Sequence, residues 1–220
     1  MLVSALFAEG ESDHLFLGPL LPRILEALLL QVGIVVDVQP VQRLTAISDA
    51  RGRADRIVRA VAPLLDAIHL LFIHTDGGGD APRARSDKVD PAANMIKEQF
   101  TAEAPAMVGI VPVRETEAWV LAGELALREA AGTGLSPEAI GGSWSPRELE
   151  RLTDPKRVLD KLVASERRAG RRHARAVARF DQIARTCDIN RLRELSAFAA
   201  FERELREALV DLGYRALADG

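Results

Sequence analysis

The stretch Leu2-Val3-Ser4-Ala5-Leu6-Phe7-Ala8-Glu9-Gly10-Glu11-Ser12-Asp13 sets an apolar run of strand length directly before a glycine and a cluster of acids. A second stretch repeats the arrangement, with His69-Leu70-Leu71-Phe72-Ile73-His74 running into Thr75-Asp76-Gly77-Gly78-Gly79-Asp80. Two further apolar runs, Ile34–Val38 and Met107–Val113, complete a set of four. Val and Ile are common among them, as expected of strands covered on both faces. The intervening segments have helical spacing. Leu15, Leu20, Leu21, Ile24, Leu25 and Leu28 share one side of a first helix, which Ser12 or Asp13 can cap and which carries Pro19 and Pro22 in or near its first turns. Ile57, Val58, Val61, Leu64, Leu65 and Ile68 mark a second, kinked at Pro63. A third is expected from Asp90-Pro91 towards Ala102. Strands alternating with helices predict an α/β fold with a mostly parallel sheet flanked by helices.

From Glu115 onward the pattern turns helical: a segment over 117–131, a Gly-, Ser- and Pro-rich loop over 132–145, then helices near 146–152, 155–168, 170–186 and 196–212. Phe198, Phe201, Leu205, Leu209 and Leu212 form an apolar face expected to pack internally. The chain is therefore divided into an α/β domain, 1–122, and a C-terminal helical extension, 123–220, packed on it.

Composition excludes several functions. With 5% aromatic residues, two Trp and one Tyr, a protein that reads single strands by repeated base stacking is disfavoured. A single cysteine, Cys187, rules out internal disulfides, a Cys-based zinc site and an iron–sulfur cluster, and fits a reducing compartment. The four histidines, His14, His69, His74 and His173, show no metal-ligand spacing, so a zinc enzyme is not expected. The N-terminus lacks the basic lead of a secretory signal, and charges and prolines break the most apolar region, 15–36. A cytoplasmic protein without a membrane partner is expected. Gly77-Gly78-Gly79 precedes no Lys-Ser or Lys-Thr, so it is not a P-loop, and no serine sits in a nucleophile elbow.

The net charge of −3 hides an asymmetry. Residues 155–185 hold ten basic and three acidic side chains, a local +7, which leaves −10 for the rest. Such a stretch is either a solvated Arg-rich helix or a phosphate-binding face for nucleic acid, with Lys156, Arg171, Arg172 and Arg175 as candidate contacts.

In a parallel α/β sheet the chemistry sits beyond the carboxyl ends of the strands. Acids follow three of the four runs: Glu9 after the first, Asp76 after the third, Glu115 and Glu117 after the fourth. Carboxylates converging on one rim repel, and a hard divalent cation such as Mg²⁺ or Mn²⁺ resolves the repulsion, which points to phosphoryl transfer or phosphodiester cleavage. Each residue also has a purely structural reading. Glu9 can simply end a strand, Asp76 can form a turn, and Asp13 can cap a helix. Asp80 can be a loop acid, and Glu115 and Glu117 suit a helix start. His74 can be a core histidine rather than a general base.

Glu9-Gly10-Glu11-Ser12-Asp13 after a first strand, with Asp76 after a third, resembles the Toprim arrangement of topoisomerases, primases and OLD-family nucleases. There, one Glu and an Asp-x-Asp pair bind Mg²⁺. Here the pair reads Asp76-Gly77-Gly78, and the next acid is Asp80. More specifically, the chain resembles the Toprim-like bacterial domain-of-unknown-function family four-two-seven-six, often met beside ABC-type ATPases in defence islands. The resemblance is carried by Ala8-Glu9-Gly10 through Leu20-Leu21, the Asp76 loop, and Val113-Arg114-Glu115-Thr116-Glu117-Ala118-Trp119-Val120-Leu121-Ala122. The Asp154-Pro155-Lys156 helix start and Leu195-Ser196-Ala197-Phe198 complete it.

The resemblance implies a Toprim-like, Rossmannoid sheet and a Mg²⁺- or Mn²⁺-dependent nuclease or phosphotransfer enzyme, acting in antiphage defence with an ABC-type ATPase. Glu9 and Asp76 would be the core metal ligands and catalytic residues, Glu9 being a ligand or the general base. Asp80, Glu115 and Glu117 would complete the shell. The alternatives are a non-catalytic module that regulates an ATPase partner and a hydrolase of small phosphate compounds.

Overall fold

The computed structural model describes residues 1–45, 50–131, 144–164 and 179–215. Four parallel strands form one sheet: β1 (Ser4–Phe7), β2 (Gln42–Arg43), β3 (Leu70–His74) and β4 (Ala106–Ile110), in the order β2-β1-β3-β4. β1 pairs with β3 from Ser4 opposite Leu70 to Phe7 opposite Ile73, and β3 pairs with β4 from Leu70 opposite Ala106 to His74 opposite Ile110. Every residue of β1 and β3 is buried, because helices cover both faces.

Side chains alternate along the strands and feed two cores. Val3, Ala5, Phe7, Leu71 and Ile73 meet Ile57, Val58 and Val61 of α2 (Arg53–Val61) and Ala92 and Ile96 of α4 (Asp90–Gln99). Leu2, Leu6, Leu70 and Phe72 face the other way, onto α1 (Glu11–Gln31) and the C-terminal helices. Pro63 ends α2 in a short 3₁₀ turn, Ala62–Leu64. α1 carries Pro19 and Pro22 in its interior rather than its first turns, and its buried stripe from Phe16 to Leu29 holds the helix together.

The C-terminal helices are α5 (Glu117–Ala122), α6 (Glu124–Ala131), α7 (Pro146–Arg151), α8 (Pro155–Ala164), α9 (Phe180–Thr186), α10 (Ile189–Arg193) and α11 (Ser196–Asp211). They share one continuous core with the sheet and α1. Arg23 of α1 donates to the carbonyls of Ala184 (2.5 Å) and Cys187 (2.9 Å), so a cation sits at the carbonyl end of α9. The segment expected as one helix over 117–131 breaks at Gly123, where a Cβ would stand 3.0 Å from that of Cys187. α11 covers the free edge of β4: Glu204 accepts from Gly109 N–H (3.2 Å) and pairs through both oxygens with Arg85. Among the described residues no helix is long and apolar enough to cross a membrane.

Further elements differ from the sequence reading. The second strand lies at Gln42–Arg43, not Ile34–Val38. The earlier run is extended beside the start of β1 and bridges it only at Leu2 and Val38. Pro40, with no N–H to give, interrupts the ladder between the two pairings. The polar helix α3 (Ala81–Lys88) has no apolar stripe to announce it and buries only Ala84. Its start is fixed by Asp80, whose carboxylate accepts from Arg83 N–H (3.1 Å), and by Pro82 in the first turn.

Phe198 is fully buried, with ring centroids 5.1 Å from Trp119 and 5.7 Å from Phe201. Phe198→Ala is expected to lower stability in urea by about 3–5 kcal/mol and to shift the Trp119 emission to the red. A change at the exposed Leu125 to Ser should cost under about 0.5 kcal/mol.

Candidate metal centre

The sheet grows from β1 to β2 on one side and to β3 on the other, so the carboxyl ends of β1 and β3 flank its switch point. Glu9 lies two residues beyond β1. Asp13, in the first turn of α1, is turned back over the strand ends, because its Oδ2 accepts from Gly10 N–H (3.0 Å). His74 is the last residue of β3, and Thr75 N–H continues the sheet pairing to Ile110 O (3.0 Å). Asp76 follows.

The backbone of the loop requires all three glycines. A Cβ on Gly77 would lie 2.2 Å from Pro112 O and 2.6 Å from Val113 O, so only glycine fits there. Gly78 (φ +59°) donates to Arg114 O (3.1 Å), and Gly79 (φ +100°) to Val113 O (2.8 Å). The loop after β3 is thereby clamped to the loop after β4, which brings Glu115 and Glu117 to the neighbourhood of Asp76.

Asp13, His74 and Asp76 converge there, each with one ligand atom within 4.8 Å of the others. His74 is fully buried, and Asp13 is 6% exposed. His74 Nδ1 stands 3.7 Å from Asp13 Oδ2, and Nε2 stands 3.7 Å from Asp76 Oδ1, too far for hydrogen bonds. Nε2 lies 2.9 Å from Thr116 Oγ1. His74 Nδ1, Asp76 Oδ1 and Glu115 Oε2 are buried without a hydrogen-bond partner. Such atoms carry a desolvation cost that a bound cation removes.

The electrostatics agree. Burial, then the charges of Asp13, Glu117, Glu115 and Glu9, push the Asp76 carboxyl up to about 7. Burial, followed by Glu115 and Asp13, also raises Glu117. Burial keeps His74 below the usual histidine range, in the neutral form that a metal requires. The residues present thus fit a metal ion: two carboxylates and a neutral imidazole, with further acids beside them.

Glu117 is buried, Glu115 is partly buried, and both act on Asp76. Glu9 also acts on Asp76, but its Oε1 is held by Arg53 Nη1 (2.5 Å) and Thr75 Oγ1 (3.0 Å), outside the three converging ligand atoms. Asp80 is exposed and caps α3, so it too stands outside them. Lys156 is exposed near the start of α8, and its charge is felt at Glu117. Arg171, Arg172 and Arg175 lie outside the described residues. A cleft of about 760 Å³ opens between α3, β4 and α11, but none of Asp13, His74 or Asp76 lines it.

The sequence reading favours structural roles for Asp13, as a helix cap, and His74, as a core histidine, and does not single out Arg53. Local spacing does not link His74 to Asp13, because the two are 61 residues apart and meet only through the pairing of β1 with β3. The nearest signal was His74-Thr75-Asp76, which sets two ligands at i and i+2 on leaving a strand.

Asp76 titrates higher in the folded chain than its ordinary value near 3.8, so its contribution to stability is complete below about pH 4 and is lost as pH rises to about 7. In metal-free protein Asp76→Asn should abolish that loss. Between pH 5 and 8 the wild type should lose roughly 1–2 kcal/mol more than the variant in urea titrations. That figure lies below full linkage because the Asp76 side chain is 41% exposed and water screens it.

The same arrangement of strand ends and C-terminal helices lies within the reach of one family model. A domain of unknown function, DUF4276, matches residues 8–206, from the end of β1 into α11. Neither a curated protein nor a solved structure gives a significant match. With nine-tenths of its length covered, Glu9 and the Asp13, His74 and Asp76 group included, the chain belongs to the DUF4276 family.

Proposed function

We propose that the protein is a divalent-metal-dependent phosphodiester hydrolase, a Toprim-like nuclease whose metal is held by Asp13, His74 and Asp76. The observation that carries this reading is the convergence of those three side chains with two buried, unpartnered ligand atoms, His74 Nδ1 and Asp76 Oδ1. The imidazole favours Mn²⁺ over Mg²⁺, since Mg²⁺ prefers an all-oxygen shell whereas Mn²⁺ accepts nitrogen. Bound there, the ion would supply Lewis acidity and an activated water.

The chain's own groups have separate parts. Thr116 fixes the His74 ring through the contact at Nε2. Glu117, whose carboxyl is raised by burial, can hold a proton at the rim and release it to a leaving oxygen. Lys156, whose charge reaches Glu117, is available to meet a nucleic-acid phosphate. The resemblance to Toprim nucleases supports the substrate class, and the setting proposed with it is antiphage defence beside an ABC-type ATPase. A second reading, a module that binds metal without cleaving, is favoured by Gly78. That position, where the Toprim pattern has its second acid, faces open space.

Calorimetric titration with Mn²⁺ should show one saturable site, weakened at least about 30-fold by Asp13→Asn or Asp76→Asn. Cleavage of single- or double-stranded DNA or RNA should need Mn²⁺ and fall at least about 100-fold in the same variants. Binding without cleavage of any of these would support the second reading, and unchanged binding in both variants would refute the site.

A further inference from the structure

Arg53, the first residue of α2, is fixed independently of its ion-pair partner. Its Nη2 donates to His74 O (2.6 Å), its Nε donates to Lys88 O (3.2 Å), and the guanidinium lies 5.4 Å from the Phe7 ring centroid. Two main-chain carbonyls and an aromatic face therefore hold a cation at the carboxyl ends of β1 and β3. The remaining edge of the guanidinium meets Glu9 Oε1 at 2.5 Å. Thr75 Oγ1 donates to the same oxygen at 3.0 Å, and Lys88 Nζ stands 4.0 Å from it. Two cations and a hydroxyl thus converge on a single carboxylate oxygen.

The two sides of this contact differ. The Arg53 side chain is 22% exposed and tied down by main chain, whereas the Glu9 side chain is 39% exposed. The cation is the more enclosed partner, and the anion is the more open to solvent. The position also adjoins the candidate metal centre, since Arg53 and Lys88 both act on His74, and Arg53 feels Asp76.

We infer that Arg53, Lys88 and Thr75 form a seat for a phosphate group, and that Glu9 is the resident carboxylate that fills the seat until phosphate displaces it. A phosphate oxygen suits these donors as well as a carboxylate oxygen does. The inference deepens the hydrolase reading, on which it rests for its substrate class: the seat would hold a substrate phosphate beside the metal and free Glu9 as it binds.

The test is a ³¹P NMR titration at pH 6 and low ionic strength in EDTA, with inorganic phosphate and, separately, dimethyl phosphate as probes. Removing the competing charge in Glu9→Gln should tighten binding of one or both probes at least about fivefold over wild type. Adding Lys88→Met or Arg53→Lys to Glu9→Gln should reverse the gain. Lys88 is only partly buried and ends a polar helix, which keeps the test sound if the Arg53 variant fails to fold. A preference for inorganic phosphate would indicate a terminal phosphate, and a preference for dimethyl phosphate a diester. Glu9→Gln binding neither probe more tightly than wild type would overturn the inference, as would a gain that survives both second substitutions. Because no metal is present, failure here is separable from failure of the Mn²⁺ titration.

Discussion

The parallel pairing of β1 with β3 is the constraint on which the rest depends. It puts Glu9 and the start of α1 beside His74 and Asp76, and it lies at the point where the sheet changes direction of growth. Both strands are buried on both faces, so a one-residue slip would exchange the two cores and is strongly disfavoured. The register of the sheet is therefore also the register of the site.

Around that pairing the fold assembles a local conflict. Asp13 and Asp76 crowd a neutral, fully buried histidine, Glu115 and Glu117 add their charges at Asp76, and three of the nearby polar atoms lack partners. A chain selected only for stability has no reason to retain such a group, because buried like charges and unpaired polar atoms both oppose folding. The clamp of Gly77 against Pro112 and Val113 holds the conflict in place from one side. The cation Arg53 compensates part of it from the other, through Glu9.

Much of the fold was legible in the sequence. Strand-length apolar runs ending in acids marked β1, β3 and the rim, and helical spacing marked α1, α2, α4 and α11. Ile34–Val38 misled because an apolar run shows that side chains suit a covered strand, not that the backbone pairs, and Val35 is 92% exposed. α3 was invisible because it is held by a cap and ion pairs rather than an apolar stripe. In the site, acids just beyond strands were readable, since their place follows from topology. Asp13 and His74 were not, because a helix-start acid and a strand histidine have ordinary structural uses that local sequence cannot separate from ligation. Arg53 required knowing that the start of α2 lies against the carbonyl of His74.

The proposed metal ion is held by an imidazole and two carboxylates where β1 and β3 end. Electron spin-echo modulation of the Mn²⁺-loaded protein tests that ligation most directly. Coupling to a directly bound imidazole nitrogen is expected, and it should disappear in His74→Asn while the variant keeps its fold by circular dichroism. Mn²⁺ bound with no nitrogen coupling in the wild type, or with coupling that persists in His74→Asn, would contradict it.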